Sequence, residues 1–319
     1  MKLTIKQHYV PACYLARFTM IGERDSPFFV HSLDGSIRED IPDHVGFERH
    51  YHTIDIPGLS PDHLEYVFQK IEAPACALFR TLASNPGRPF ITHDELEIVM
   101  QFFVIQASRV PQSKRNYENM IADEGRAFMN KVAYSTEFFE EVVESALKSG
   151  AVEGSVEQKS LRDAVESGEL TVVPDKTHVA VGMFRLASAI IDAIEGMHWT
   201  LWYSSDPDWF VCSDYPVGLF YSVSGDVVQP TVHLLPEMDI IYMPLAQNVA
   251  LVTHRLPNVP LVQAANQQMV AVVNAITVSH AERFICSPMP DFICNLPNGR
   301  LGNAAETIET LRSFRQTPS

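Results

Sequence analysis

The sequence predicts an α+β protein, with a helical first half packed with a mainly antiparallel sheet formed by the later strands and an N-terminal hairpin. Three observations carry this. Through residues 60–198 apolar residues recur at spacings of three and four, the period of an amphipathic helix. From residue 199 onward short aromatic and β-branched runs alternate with turn residues. Near the start, Asp34-Gly35 lies between two extended runs within 28–37, the signal of a hairpin. No internal repeat or low-complexity segment interrupts the chain. The expectation is one domain over 1–319, with a helical subdomain at 60–198 and a sheet-rich part from 1–57 and 199–319.

After the hairpin, residues 42–57 lack periodicity and hold His44, His50 and His52. Ser60-Pro61 reads as an N-cap followed by proline at the first helical position. Leu64, Val67, Ile71, Ala75, Leu78 and Leu82 follow at helical spacing, and Pro74 predicts a kink near 70–73. Thr92-His93-Asp94-Glu95 is a capping box opening a helix through Leu96, Val99, Phe103 and Ala107, bent or ended by Pro111. Helical patterning resumes to about Asn130 and again over 135–148. The polar, acidic stretch 150–169 reads as a surface excursion, and 176–198 as a further helix. Extended runs follow at 199–203, 209–212, 217–223, 238–243 and 249–254. A helix at 261–282, a strand at 283–286 and a helix at 304–314 complete the chain.

Composition narrows the function classes. The chain has 319 residues, 46% apolar and 20% charged, with a formal net charge of −15. An acidic surface repels phosphate backbones, which argues against bulk non-specific nucleic-acid binding. The one dense basic stretch, Arg109 to Arg115, either holds a phosphate or carboxylate or is a solvated helix end. The five cysteines form no C-x-x-C pair and are odd in number, so reduced thiols and a cytoplasmic location are expected. The first residues lack the apolar core of a signal peptide. The most apolar long stretch, 179–197, carries Arg185, Asp192 and Glu195, so no membrane association is expected.

The opening segment Gln7-His8-Tyr9-Val10-Pro11-Ala12-Cys13-Tyr14-Leu15-Ala16-Arg17-Phe18 places a histidine and an arginine among apolar and aromatic residues. Both are costly to bury without partners, so polar groups from elsewhere should meet them. The segment resembles the opening H-Y-V-P-x-x-Y-L-x-x-F of the family of unknown function DUF4238. Leu64-Glu65 and Ile71-Glu72 are similar to that family's paired glutamates, and Gln106 to Pro111 to its Q-x-x-R-x-P helix end. Phe210 to Val217 resembles its F-x-x-S-D-N-P-V motif, and Asn274 with Ala281 fits its late helix. Tyr215 stands where the family has asparagine, and Ala16 where a basic residue is common. The resemblance implies a family but no activity.

The residues themselves suggest chemistry. Glu65 and Glu72 are seven apart and share one helix face, suited to general acid–base work or, with Asp214, to a divalent metal. The plainer alternative is a solvated acidic edge or ion pairs to Arg17 and Arg109. His8 is a candidate base or a hydrogen-bonded core histidine. Gln106 and Arg109 lie one turn apart, either clamping an anion or bridging to Glu65 or Glu72. Asp214 follows a strand end, where it either does chemistry or caps a turn. His50-Tyr51-His52 with Asp55 does not match a zinc spacing, and no phosphate loop, dinucleotide fingerprint or nucleophile elbow occurs. Two functions follow. One is a metal-assisted hydrolase of a phosphoester or phosphodiester, in a nucleotide or nucleic acid, with His8, Glu65, Glu72 and Asp214 catalytic. The other is a non-catalytic binding or sensor module, in prokaryotic defence or stress, recognising a small anionic ligand or nucleotide through Arg17, Arg109 and His8, with Gln106 among the ligand-binding residues. Convergence of these side chains on one open cleft is the deciding observation.

Overall fold

The computed structural model describes residues 4–89, 92–152, 154–170, 172–194, 196–205, 207–220, 222–223, 226–227, 240–255 and 259–316. The chain divides into two compact units, Met1–Ser113 with Met183–Ser319, and Lys114–Gly182. The helices, in chain order, are α1 (Ala12–Leu15), α2 (His63–Ser84), α3 (His93–Arg109), α4 (Pro111–Tyr134), α5 (Thr136–Ser149), α6 (Gln158–Ser167), α7 (Lys176–Ile194), α8 (Gln267–His280) and α9 (Ala304–Gln316). Helices fill the first half and antiparallel strands dominate the second, so the fold is α+β as the patterning predicts. No helix among the described residues is long and apolar enough to cross a membrane.

The larger unit is built on two sheets. One has the order Val262–Ala264, His198–Tyr203, Val249–His254, Ile240–Ala246, Gly218–Phe220, all antiparallel except the first pair. The other runs Ile37–Asp40, Phe28–Ser32, Phe284–Ser287, Cys212–Ser213, and its first pair is the expected Asp-Gly hairpin, with Gly35 at φ 92°. Helix α8 lies between their cores. Val270, Val273 and Ile276 pack with Phe210, Tyr242, Ala250 and Val252 of the first, whereas Val278 joins Val211, Ile285, Phe292 and Ile308 of the second. A helix apolar on several faces must be covered on several faces, and α8 is. Gly218 lets it approach: a β-carbon there would run into the Ile276 side chain.

The opening segment is threaded through this core. Lys6–His8 pairs with Phe47–Arg49, and Tyr9 and Val10 donate their N–H groups to the Gly46 carbonyl. Gly46 has φ 72° and sits against Val10, so glycine is required there by conformation and by space. Tyr14, fully buried, packs edge-on against Phe18 and Phe79, with Phe102 beside it, and its hydroxyl donates to the Pro244 carbonyl at 2.5 Å. The aromatic residues of the opening motif are therefore anchors between α2, α3 and the first sheet.

Several boundaries differ from expectation. Helix α2 starts at His63 after an Asp62 N-cap position, because Ser60 and Pro61 form the preceding turn, and it continues through Pro74 as one helix. The Thr92 hydroxyl caps Glu95 N–H at 3.1 Å as the capping box requires, and α3 ends where Val110 turns extended ahead of Pro111. The stretch 150–169 contains α6, a polar helix with no buried residue. Residues 262–264 form a strand, and α8 begins only after Asn266, whose side chain accepts from Met269 N–H. The strand expected at 238–243 is observed from Ile240, since Met238 and Asp239 lie outside the described residues, as does Tyr221 of 217–223.

The smaller unit is helical. Within it, Phe128 meets Phe138 edge-on at 5.5 Å, Lys131 lies over the Phe138 ring, and Arg162 lies over Tyr134. The Ser135 side chain caps α5 and Gly150, at φ 70°, ends it.

Candidate functional site

Helix α2 buries Leu64, Phe68, Ala75, Leu78, Phe79 and Leu82 against the core. Its other face carries Asp62, Glu65, Gln69, Glu72, Cys76 and Arg80 at spacings of three and four, so they form one stripe. That stripe lines a cleft of about 960 Å³ whose facing wall is the opening segment, with His8, Pro11, Cys13, Ala16 and Arg17. Four of the sequence-selected residues therefore share one open cleft: His8, Arg17, Glu65 and Glu72.

Gln106 and Arg109 stand behind Glu72. Arg109 is 1% exposed, and its Nη1 donates to Glu72 Oε1 at 2.5 Å. Its Nε and Nη2 both donate to Gln106 Oε1, at 3.2 and 2.8 Å, and the guanidinium lies 5.1 Å from the Phe68 ring centre. Gln106 Nε2 in turn donates to the Tyr9 carbonyl at 2.9 Å, and the Tyr51 hydroxyl donates to the Arg109 carbonyl. Of the two roles open to Arg109, the geometry takes the bridge to Glu72. One polar chain thus ties the opening segment, the end of α3 and Glu72 together, and it fixes one wall of the cleft.

Electrostatics differ among the cleft residues. Glu65 has its pKa pushed up to about 7, first by burial and then by the neighbouring Glu72 charge, with Arg109 opposing. The same carboxyl can therefore hold or release a proton near neutral pH. His8 is held below its ordinary pKa by burial, which outweighs the pull of Asp43, so its imidazole is neutral at pH 7. His8 Nε2 is buried without a hydrogen-bond partner among the described residues. Arg17 is 6% exposed, its Nε has no hydrogen-bond partner, and no ion pair to it occurs among the described residues. The neighbouring cations are engaged: Arg24 with Asp43, and Arg80 with Glu23. Burial, and then the Arg80 charge, lower the Arg17 pKa against the opposing pull of Glu23, yet a guanidinium stays cationic at neutral pH.

Asp214 is placed elsewhere. It is 2% exposed and not among the cleft residues. Its Oδ1 and Oδ2 accept from the Glu282 and Arg283 N–H groups at 2.9 and 3.0 Å, and its own N–H donates to the Phe284 carbonyl. Burial raises its pKa to about 6 although these N–H groups pull it down. This carboxylate holds the turn between α8 and the strand Phe284–Ser287. Asn274 acts similarly: its Oδ1 accepts from Val211 N–H, and its Nδ2 donates to the Trp209 and Ile293 carbonyls. With Glu72 on Arg109 and Asp214 on backbone, the trio Glu65, Glu72 and Asp214 does not assemble. Among the described residues no three His, Cys, Asp or Glu side chains gather as a metal-holding group. His52 is fully buried against Tyr51 and Phe68.

Sequence reasoning missed two features of the cleft. Asp62, His63 and Arg80 also line it, and the polar stripe at helical spacing from Glu65 was the signal for Asp62 and Arg80. Cys13 and Cys76 are joined as a disulfide across the two walls, with Cα atoms 6.0 Å apart. This corrects the expectation of five reduced thiols, since residues 63 positions apart carry no local signal of pairing. Cys212, Cys286 and Cys294 are free and buried.

The model of the family described as protein of unknown function, DUF4238, matches residues 6–289. No curated protein matches the chain, and no solved structure does. The matched span takes in the cleft residues from His8 to Arg80, the Gln106–Arg109 bridge, Asp214 and Asn274.

Proposed function

We propose that this chain, which belongs to the DUF4238 family of proteins of unknown function, binds a small anionic molecule in the cleft between its opening segment and α2, with Arg17 as the anchor. One observation carries the reading: an arginine 6% exposed, on the wall of an open cleft, with no salt-bridge partner in contact among the described residues, the nearby Glu23 being paired with Arg80. A buried arginine with no partner is unfavourable in the folded protein, and a carboxylate or phosphate offers the planar fork its bidentate complement. Nearby cations already paired with Asp43 and Glu23 leave Arg17 as the group that gains from a ligand.

A second reading rests on Glu65. A carboxyl with a pKa of about 7, in the same cleft as a neutral His8, is an acid–base group poised for hydrolysis of a phosphoester held by Arg17. His8 would orient the ligand or accept a proton at its unpartnered Nε2. This reading calls on proton transfer, for which the cleft supplies groups. A small ligand such as a mononucleotide fits both readings and the acidic surface, and a cytoplasmic location belongs to the same proposal.

Calorimetric titration of the whole chain with inorganic phosphate and with a mononucleotide tests both. Binding is expected, weakened about tenfold to a hundredfold in Arg17→Met, the loss of one or two charge-assisted hydrogen bonds. Glu65→Gln keeps binding and, on the second reading, abolishes turnover of a p-nitrophenyl phosphoester. Absence of binding by the native chain, or equal affinity in Arg17→Met, would sink the anion reading. Equal turnover in Glu65→Gln would sink the acid–base one.

A further inference from the structure

We propose that the Cys13–Cys76 disulfide is a site of reversible thiol–disulfide exchange, addressed through the cleft by a small dithiol. The bond lies where a reductant reaches it. Both cysteines line the cleft, with Cys13 half-buried and Cys76 9% exposed, whereas Cys212, Cys286 and Cys294 are 0%, 0% and 1% exposed. The chain thus keeps one sulfur pair on the cleft wall and three thiols sealed in the core. Burial also pushes the Cys294 thiol up to about 11 and the other two further in the same direction, which leaves them unreactive.

The position gives the bond something to control. Cys13 sits in α1, between His8 and Arg17, and Cys76 sits in α2, between Glu72 and Arg80. The disulfide therefore clips together the two walls that carry the cleft's polar groups. Opening it does not require unfolding, because the neighbouring Tyr14 and Leu15 are fully buried and hold the segment in the core. Exchange runs as two thiolate displacements. A thiolate of the dithiol attacks Sγ of Cys13, the more exposed residue, forming a mixed disulfide, and Cys76 leaves as a thiolate that takes up a proton. The second thiol of the reagent, deprotonated, then attacks its own bound sulfur and releases Cys13 as a thiolate that is protonated in turn. Two electrons pass from the dithiol, which leaves as a cyclic disulfide, to the cystine, which becomes two thiols.

Alkylation mapping of the native chain tests this without any anionic ligand, so it stands or falls separately from the binding reading. Before reduction, digestion should give a Cys13–Cys76 linked peptide and iodoacetamide should add nothing. After dithiothreitol, still folded by near-ultraviolet circular dichroism, the chain should gain the mass of two adducts, at Cys13 and Cys76 alone. Oxidised glutathione should then restore the linked peptide. A Cys76→Ala variant should take one adduct at Cys13 with no reductant present. The proposal is overturned if no linked peptide forms even with oxidised glutathione, or if Cys13 and Cys76 react only once the chain is denatured. It is equally overturned if all five cysteines label together, or if Cys13 in Cys76→Ala stays unlabelled.

Discussion

Two buried arginines, one paired and one not, should respond in opposite ways to the same substitution. Replacing Arg109 with methionine keeps a long apolar stem against Phe68 but removes every polar contact of the guanidinium. Breaking a buried ion pair by deleting one partner costs about 3–5 kcal/mol, and the lower end applies because the Glu72 side chain retains 21% exposure. Gln106 Oε1, in a fully buried side chain, loses both its arginine donors, which adds about 1 kcal/mol at the low end for an unsatisfied acceptor. The sum is about 4 kcal/mol, or a melting temperature lower by roughly 10 °C at about 2–4 °C per kcal/mol. Arg17→Met deletes a buried charge that has no ion pair among the described residues, so it should leave stability within about 1 kcal/mol of the native chain or raise it. Differential scanning calorimetry of the two variants side by side, without added anions, reads the contrast. The reasoning is refuted if Arg109→Met melts within a degree or two of the native chain (about 0.5 kcal/mol on the same conversion), or if Arg17→Met loses as much as Arg109→Met.

Two pH dependences of opposite sign follow from buried titratable groups. Glu65 is raised from 4.5 to about 7, so its stabilising contribution is complete below pH 4.5 and is lost as pH rises through 7. Chemical-denaturation midpoints measured across that window should fall less steeply in Glu65→Gln, and an unchanged slope would contradict the assignment. His31, fully buried with its Nε2 2.8 Å from Ser287 Oγ, is lowered from 6.5 to about 4 by burial. Its contribution is present above pH 6.5 and lost as pH falls through 4, so His31→Gln should flatten the acid side of the same profile.

The residues that were legible from sequence are those whose signal is local. The Thr92 capping box and the Asp34-Gly35 hairpin involve partners close in sequence, and each occurs as read. Where the local signal was shared by two structures, the reading slipped. Ser60-Pro61 serves a turn as well as a helix start. The apolar stretch from Leu261 divides into a strand paired with His198–Tyr203 and the buried helix α8, a division set by an open sheet edge that periodicity does not see.

The same distinction runs through the candidate site. Helical spacing by itself put Glu65 and Glu72 on one face, and the cost of burying charge required partners for His8, Arg17 and Arg109. Which partner each received was decided only in three dimensions. Arg109 turned to Glu72 and Gln106, Asp214 to two backbone N–H groups, and Arg17 to an open cleft; Cys13 met Cys76 across 63 residues. Sequence by itself determined the types of group and their faces, because helix and strand periods are local geometry. The tertiary fold decided the pairings, because hydrogen bonds, ion pairs and disulfides act over a few ångströms and depend on which distant segments the core brings that close.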